Sequence, residues 1–167
     1  TDRVLIFPET ILGLWQAPSS WLWADAARQA HTRGQTLVFG AEWPRHDGHY
    51  ENIAGVMDRH GDLSPIYRQL MPVPFSMWRP WTGDGALPAW FQPQSALIDG
   101  QSSAFLICYE QLLIWPPLVA FATDPHVLVG MSNDWWARDT NIPAIQRTAM
   151  TAWARLFAVP LVLSENL

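Results

Sequence analysis

The stretch AFLICYEQLL, Ala104 to Leu113, closes an apolar run on the single cysteine of the chain, Cys108, and follows it at once with Tyr109 and Glu110. A thiol attacks a carbonyl carbon only as its thiolate, so it needs a base, and a carboxylate screened from water has a raised pKa suited to that task. Two other polar residues stand where strand-like runs end: Glu9 after RVLIFP and Gln69 after LSPIYR. Side chains at strand ends converge on one rim of a sheet, which is where α/β proteins place their sites. Glu9 and Cys108 therefore make a candidate base and nucleophile. Each also fits an ordinary role, Cys108 as a small buried hydrophobe and Glu9 as a solvated turn carboxylate.

Composition narrows the classes around that pair. With 167 residues, 49% hydrophobic and 15% charged, the chain suffices for one compact core, so residues 1–167 read as a single domain. The net charge of -5 comes with ten basic residues, all arginine and scattered singly. That pattern lacks the clustered basic stripe that a nucleic acid partner requires. The longest apolar region, Phe105 to Phe121, is broken by Glu110 and Pro116-Pro117, so no segment reads as a membrane span. His31, His46, His49, His60 and His126 share no metal-ligand spacing with one another or with Cys108, and no metal or other cofactor is indicated. The TGDGA segment lacks the lysine and the strand-helix context of a phosphate loop. Tryptophan is abundant, at eleven residues, and supplies amphipathic surface for a pocket, an interface or a membrane headgroup zone.

The elements that must position the pair alternate between short strands and helices, an α/β or α+β pattern. RVLIF, Arg3 to Phe7, is a buried strand ended by Pro8. A helix starts at Ser19 or Ser20 and runs to about Arg33, with Gly34 as its stop. TLVFGAEW, Thr36 to Trp43, is a second buried strand. ENIAGVMD and LSPIYRQL form a hairpin around Gly61, with strands half-buried at best. Residues 71–94 are proline-rich and read as one long ordered loop. ALID and AFLIC form a hairpin around Gly100, and a helix opens near Pro116-Pro117. HVLVGMS, His126 to Ser132, is a further buried strand. Ile142, Ile145, Ala149, Ala152, Trp153 and Leu156 mark the face of the last helix that should pack on the sheet, and PLVLS closes the order.

Four of these segments, in sequence, resemble the nitrilase (carbon-nitrogen hydrolase) superfamily: FPET around Glu9, IYRQLMPVPF ending at Phe75, LICYE around Cys108 and SNDWW at Ser132 to Trp136. Within it the likeness is greatest to the apolipoprotein N-acyltransferase branch, and a group of plasmid conjugal transfer proteins shares that domain type. The resemblance implies an α-β-β-α sandwich, often paired with a second copy as a homodimer. It implies thiol-dependent acyl transfer or amide hydrolysis, with Glu9 as base and Cys108 as nucleophile carrying a thioester. It also implies Glu110 as a helper and Tyr109, Asn133 and Trp135 as substrate-binding residues beside Asp134. The implied partners are a small-molecule or lipid acyl substrate and proteins of an envelope or conjugation complex. The implied location is the bacterial cell envelope, on the inner membrane with the domain outside the bilayer. The chain reads as the central portion of a longer protein.

Two departures weigh against full activity. The family's oxyanion lysine falls on Gln69, and Met77 stands where the acyltransferases carry a further glutamate. Gln69 is expected to act as a neutral oxyanion donor, and loss of such a donor costs about 10²- to 10³-fold in rate. Arg68, the nearest cation in sequence, should point to the opposite face of its strand. The alternative is a catalytically inactive domain kept as an interaction module. The tryptophan-rich segment from Pro72 to Phe91 is then a candidate lipid-facing or partner-facing surface.

Overall fold

The computed structural model describes residues 3–92 and 94–167. Its elements run β1 (Val4–Ile6), α1 (Ser19–Thr32), β2 (Thr36–Pro44), β3 (His49–Met57), β4 (Leu63–Arg68), β5 (Gly85–Ala86), β6 (Ala96–Ile98) and β7 (Gln101–Ile107). They continue with a 3₁₀ turn (Cys108–Leu112), α2 (Trp115–Phe121), β8 (Val127–Asn133), α3 (Ile142–Leu156) and β9 (Leu161–Asn166). One sheet has the order β1-β2-β3-β4, with β5 also on β3, and the other has the order β6-β7-β8-β9. Parallel neighbours need a crossover. Accordingly α1 links β1 to β2, α2 links β7 to β8, and α3 links β8 to β9.

Strand alternation sorts the apolar side chains into three layers. Val38, Ala54 and Tyr67 of the first sheet meet Ile98, Phe105, Ile107, Val129 and Met131 of the second, filling the space between sheets. Leu37, Phe39, Ala41, Ile53 and Met57 face the other way and pack under Ala27 and Ala30 of α1. Ala104, Leu106 and Leu128 pack under Met150 and Ala154 of α3 and Ala120 of α2. The result is the α-β-β-α sandwich that the motifs imply.

One irregularity decides where the site residues point. Leu63 and Tyr67 are four residues apart on β4 and would share a face in a regular strand, yet Leu63 packs on the α1 side and Tyr67 between the sheets. The β3–β4 register shifts between Ala54 and Gly55, and such a bulge reverses the face of everything beyond it. Tyr67 and, two residues later, Gln69 are thereby directed into the inter-sheet layer, while Arg68 points outward to Glu51 at 2.8 Å.

Three expectations need correction. The hairpin strands are not half-buried at best, because Asn52, Ile53, Ala54 and Gly55 lie within the sandwich. Residues 71–94 are not wholly loop, since Gly85–Ala86 adds a short parallel strand where β3 has run past the end of β4. The packed face of α3 is also rotated: Ile145, Ala152 and Leu156 are exposed, and the buried residues are Pro143, Gln146, Met150 and Ala154. The apolar count misled because Gln146 is spent on the site, as described below.

Candidate active site

Glu9 sits in the turn that follows β1, packed against the inter-sheet face of β2 at Gly40. A Cβ at Gly40 would lie 2.4 Å from the Pro8 carbonyl oxygen and 2.5 Å from Glu9 Cα, so the absence of a side chain there sets the height of the turn. The Glu9 carboxylate is buried and ties the two sheets together. Asn52 Nδ2 of β3 donates to Oε1 at 2.7 Å, and the backbone N–H of Asn133, at the end of β8, donates to Oε2 at 3.2 Å. Asn133 is held in turn by Thr10 Oγ1 at 3.1 Å and by Asn166 Nδ2 at 2.8 Å.

Cys108 begins the 3₁₀ turn with a left-handed backbone, φ 48°. For a residue with a side chain that conformation is costly and occurs where a structure forces a nucleophile out of line with its strand. The turn is braced from two sides. Gln146 Nε2 of α3 donates to the Cys108 carbonyl at 3.2 Å, and Gln111 Nε2 donates to the Leu106 and Met131 carbonyls at 3.2 and 3.1 Å. The thiol faces the Glu9 carboxyl closely enough for each to act on the other's ionisation, and the Tyr109 backbone N–H is directed at the sulfur.

Burial is the dominant electrostatic effect. It raises Glu9 from its ordinary value to about 7, against the lowering influence of its donors Asn52, Cys108 and Asn133. Burial also pushes the Cys108 thiol up, reinforced by the negative charges of Glu9 and Asp134. A neutral thiol beside a carboxyl that titrates near neutrality is the resting pair from which a proton can pass as the sulfur attacks.

Gln69 is fully buried and does not line the open space before Cys108. Its Nε2 donates to the Ile107 carbonyl at 2.9 Å, and its Oε1 accepts from Asn52 Nδ2 at 2.9 Å. The expected oxyanion donor is thus a strut between β4, β3 and the end of β7. Glu110 is also away from the cavity and fully buried. Its carboxyl accepts from the backbone N–H groups of Ile107 at 2.7 Å, Leu70, and Met71 at 3.2 Å, and contacts the Tyr67 hydroxyl at 3.0 Å. Tyr109 does not line the cavity either, and its backbone N–H is directed at the Cys108 sulfur.

The cavity in front of the thiol measures about 510 Å³ and is lined by Glu9, Thr10, Glu42, Tyr50, Val73, Ser76, Met77, Cys108, Asn133, Trp135 and Trp136. Of the SNDWW segment, Asn133, Trp135 and Trp136 line the cavity, and Asp134 is buried and does not. Sequence reasoning missed Asn52, Gln146, Glu42 and Tyr50. A signal existed for Asn52, Glu42 and Tyr50: each has the strand parity of an inter-sheet residue, Tyr50 and Asn52 with Ala54 on β3 and Glu42 with Val38 on β2.

This architecture, with an acid and a thiol brought together at the ends of β1 and β7, is the fold of the nitrilase-type carbon-nitrogen hydrolases. An amidase from Nesterenkonia sp. AN1 superposes with a TM-score of 0.64 at 18% identity, over 98% of this chain and 65% of that one. A carbon-nitrogen hydrolase from Helicobacter pylori G27 superposes with a TM-score of 0.67 at 12% identity, over 99% of this chain and 61% of that one. A mutant of the Nesterenkonia amidase, with one glutamate replaced by glutamine, has also been solved with the acetamide moiety of fluoroacetamide added covalently at the active-site cysteine. No protein-family model matches the chain.

The curated relatives that the chain resembles in sequence are conjugal transfer proteins. It is 38% identical over 169 residues to the conjugal transfer protein TraB of Agrobacterium fabrum, covering 98% of this chain and 39% of that protein. It is likewise 38% identical to the probable conjugal transfer protein TraB of Sinorhizobium fredii, covering 42% of it. The chain thus spans about two fifths of the length of these relatives. Among the described residues no helix is long and apolar enough to cross a membrane.

Proposed function

We propose that this domain performs thiol-dependent acyl transfer or amide hydrolysis, within a protein that serves conjugal transfer at the cell envelope. The observation that carries the reading is the facing pair of Glu9 and Cys108 at the floor of one cavity. Cys108 Sγ bonds to the acyl carbon while its proton passes to Glu9. The bond from that carbon to the leaving nitrogen or oxygen breaks as Glu9 returns the proton to the leaving group, and a thioester remains. Water or an amine then attacks the thioester, again through Glu9, and the thiol is released. Backbone N–H groups of the Cys108 turn, Tyr109 among them, supply the oxyanion donors that Gln69 does not. The acyl substrate is a small molecule or a lipid, and the exposed Phe75, adjacent in sequence to the lining residue Ser76, forms with Trp81, its ring 5.7 Å away, a lipid-facing or partner-facing surface.

The test is intact-mass spectrometry of the full-length protein after incubation with phospholipid acyl donors and with simple amides. An acyl-sized increase that mild hydroxylamine removes, and that Cys108→Ala lacks, is expected. Its formation rate should rise as pH increases through about 7, because Glu9 must be unprotonated to take the thiol proton and burial places its pKa there. Formation that is flat across that range would remove Glu9 from the role of base.

A second reading, an interaction module with a retired site, is favoured by the Gln69 amide being bonded to a backbone carbonyl rather than open to the cavity. It predicts no adduct with any donor.

A further inference from the structure

The cavity walls carry negative charge without a compensating cation. None of the eleven lining residues is Arg, Lys or His, whereas Glu9 and Glu42 are both among them. Glu9 is provided for by Asn52 and Asn133. Glu42 is not: among the described residues its carboxylate accepts no hydrogen bond and joins no ion pair, although it is half-buried. A partly desolvated carboxylate with no partner is unfavourable for the fold alone, and such groups mark binding sites.

Position strengthens the case. Val38, Gly40 and Glu42 lie on one face of β2; Val38 fills the inter-sheet core, Gly40 seats the Glu9 turn, and Glu42 follows where that face emerges into the cavity. Directly across the ladder from Glu42 is Asn52, whose Oδ1 is buried and accepts no hydrogen bond. Asn52 does not line the cavity, so the acceptor that a ligand meets on this pair of strands is Glu42. Around the same cavity lie the rings of Tyr50, Trp135 and Trp136, and aromatic faces attract cations as carboxylates do. The cation that acts on Tyr50, Arg79, is already neutralised by Asp84 at 2.7 Å.

We propose that the cavity is built for a ligand bearing a protonated amine, whose ammonium seats against Glu42 among the Tyr50, Trp135 and Trp136 rings. The substrate then supplies the positive charge that this site lacks. The proposal rests on the reading of the cavity as the acyl-transfer site and adds the chemical class of what enters it, an amide or acceptor carrying an ammonium group.

The experiment is calorimetric titration of the full-length Cys108→Ala protein near pH 7.5 with three amides of similar length. These are 4-aminobutanamide (cationic), pentanamide (neutral) and succinamate (anionic). The cationic amide is expected to bind about 10-fold or more tighter than the neutral one, the strength of a single charge-assisted contact, with the anionic amide weakest. Glu42→Gln, shown by thermal melting to be folded, should bring the cationic-to-neutral ratio to about one. Equal affinities, no binding by any of the three, or a preference that survives Glu42→Gln would overturn the proposal. The two readings fail separately: a thioester on wild-type Cys108 without cation preference keeps the chemistry and removes this site. Glu42-dependent binding without any thioester keeps the site and removes the chemistry.

Discussion

Glu110→Ala is expected to destabilise the domain by about 3–5 kcal/mol, seen as a fall in melting temperature on the order of 10 °C. Glu110 is fully buried and gathers four groups from three segments: the Tyr67 hydroxyl, the Leu70 and Met71 N–H groups, and the Ile107 N–H. Alanine would leave those donors in the core without acceptors, at about 1–3 kcal/mol for each that water cannot reach. Because Leu70 and Met71 follow Gln69 and Ile107 precedes Cys108, the same change would loosen both sides of the site. Glu110→Gln keeps the volume but turns an amide NH₂ toward N–H donors, so its cost should be intermediate. If Gln and Ala melt alike, the hydrogen bonds are not what the carboxyl contributes.

The ionisation of Glu110 gives that experiment a second readout. Burial raises its pKa from 4.5 to about 8, opposed by its backbone and Tyr67 donors. The fold therefore favours the protonated acid. The sign follows from linkage: the contribution is fully present below about pH 4.5 and is lost as pH rises through about 8. Glu9, raised to about 7, acts with the same sign. Wild-type stability should fall from pH 5 to pH 8.5, and Glu110→Gln should flatten most of the upper part of that fall. An unchanged slope in the variant would show that Glu110 is ionised throughout.

How much of this was legible in the sequence depended on whether a residue's role is set locally. Glu9 and Cys108 follow apolar strands directly, so strand ends made them a candidate pair, and the resemblance of FPET and LICYE gave them their expected roles. Glu110 could not be placed that way. Two residues beyond Cys108 it would face the cavity in an extended chain and solvent at an exposed helix start, and only the 3₁₀ turn carries it back under Ile107, as half of a capping box. Asn52 was hidden because the β3–β4 hairpin reads as half-buried at best. Gln69 enters the inter-sheet layer only through the bulge on β4, which the residue types of LSPIYRQ do not announce. The outward-facing Ile145 and Leu156 illustrate the same limit, because α3 is oriented by the bond of Gln146 to the Cys108 turn and by the packing of Met150 on the second sheet, and not by the larger apolar residues it carries.

Gln69→Lys is expected to accelerate thioester formation by about 10²-fold or more, if the remaining site is arranged for the chemistry that Glu9 and Cys108 imply. The position is buried, with the Ile107 carbonyl on one side and Asn52, shared with Glu9, on the other. A lysine is one bond longer than glutamine, so its ammonium would reach past the present amide nitrogen toward the thiol and the Glu9 carboxyl. There it would meet the two negative charges that now raise the thiol pKa, Glu9 and Asp134. Three effects should appear together: faster adduct formation, a shift of the pH–rate rise below about 7 as the cation favours the Glu9 carboxylate, and a lower thiol pKa measured by alkylation. A buried ammonium without a partner would be severely destabilising, but Glu9 is within reach to pair with it, so the variant should fold. Cys108 alkylation that speeds up without thioester formation would mean that the thiol was the easy part and that the oxyanion position is misplaced. A folded Gln69→Lys protein with neither change would show that the strut between β4 and Ile107 cannot be turned toward the cavity, and that the glutamine marks a site rebuilt for another purpose.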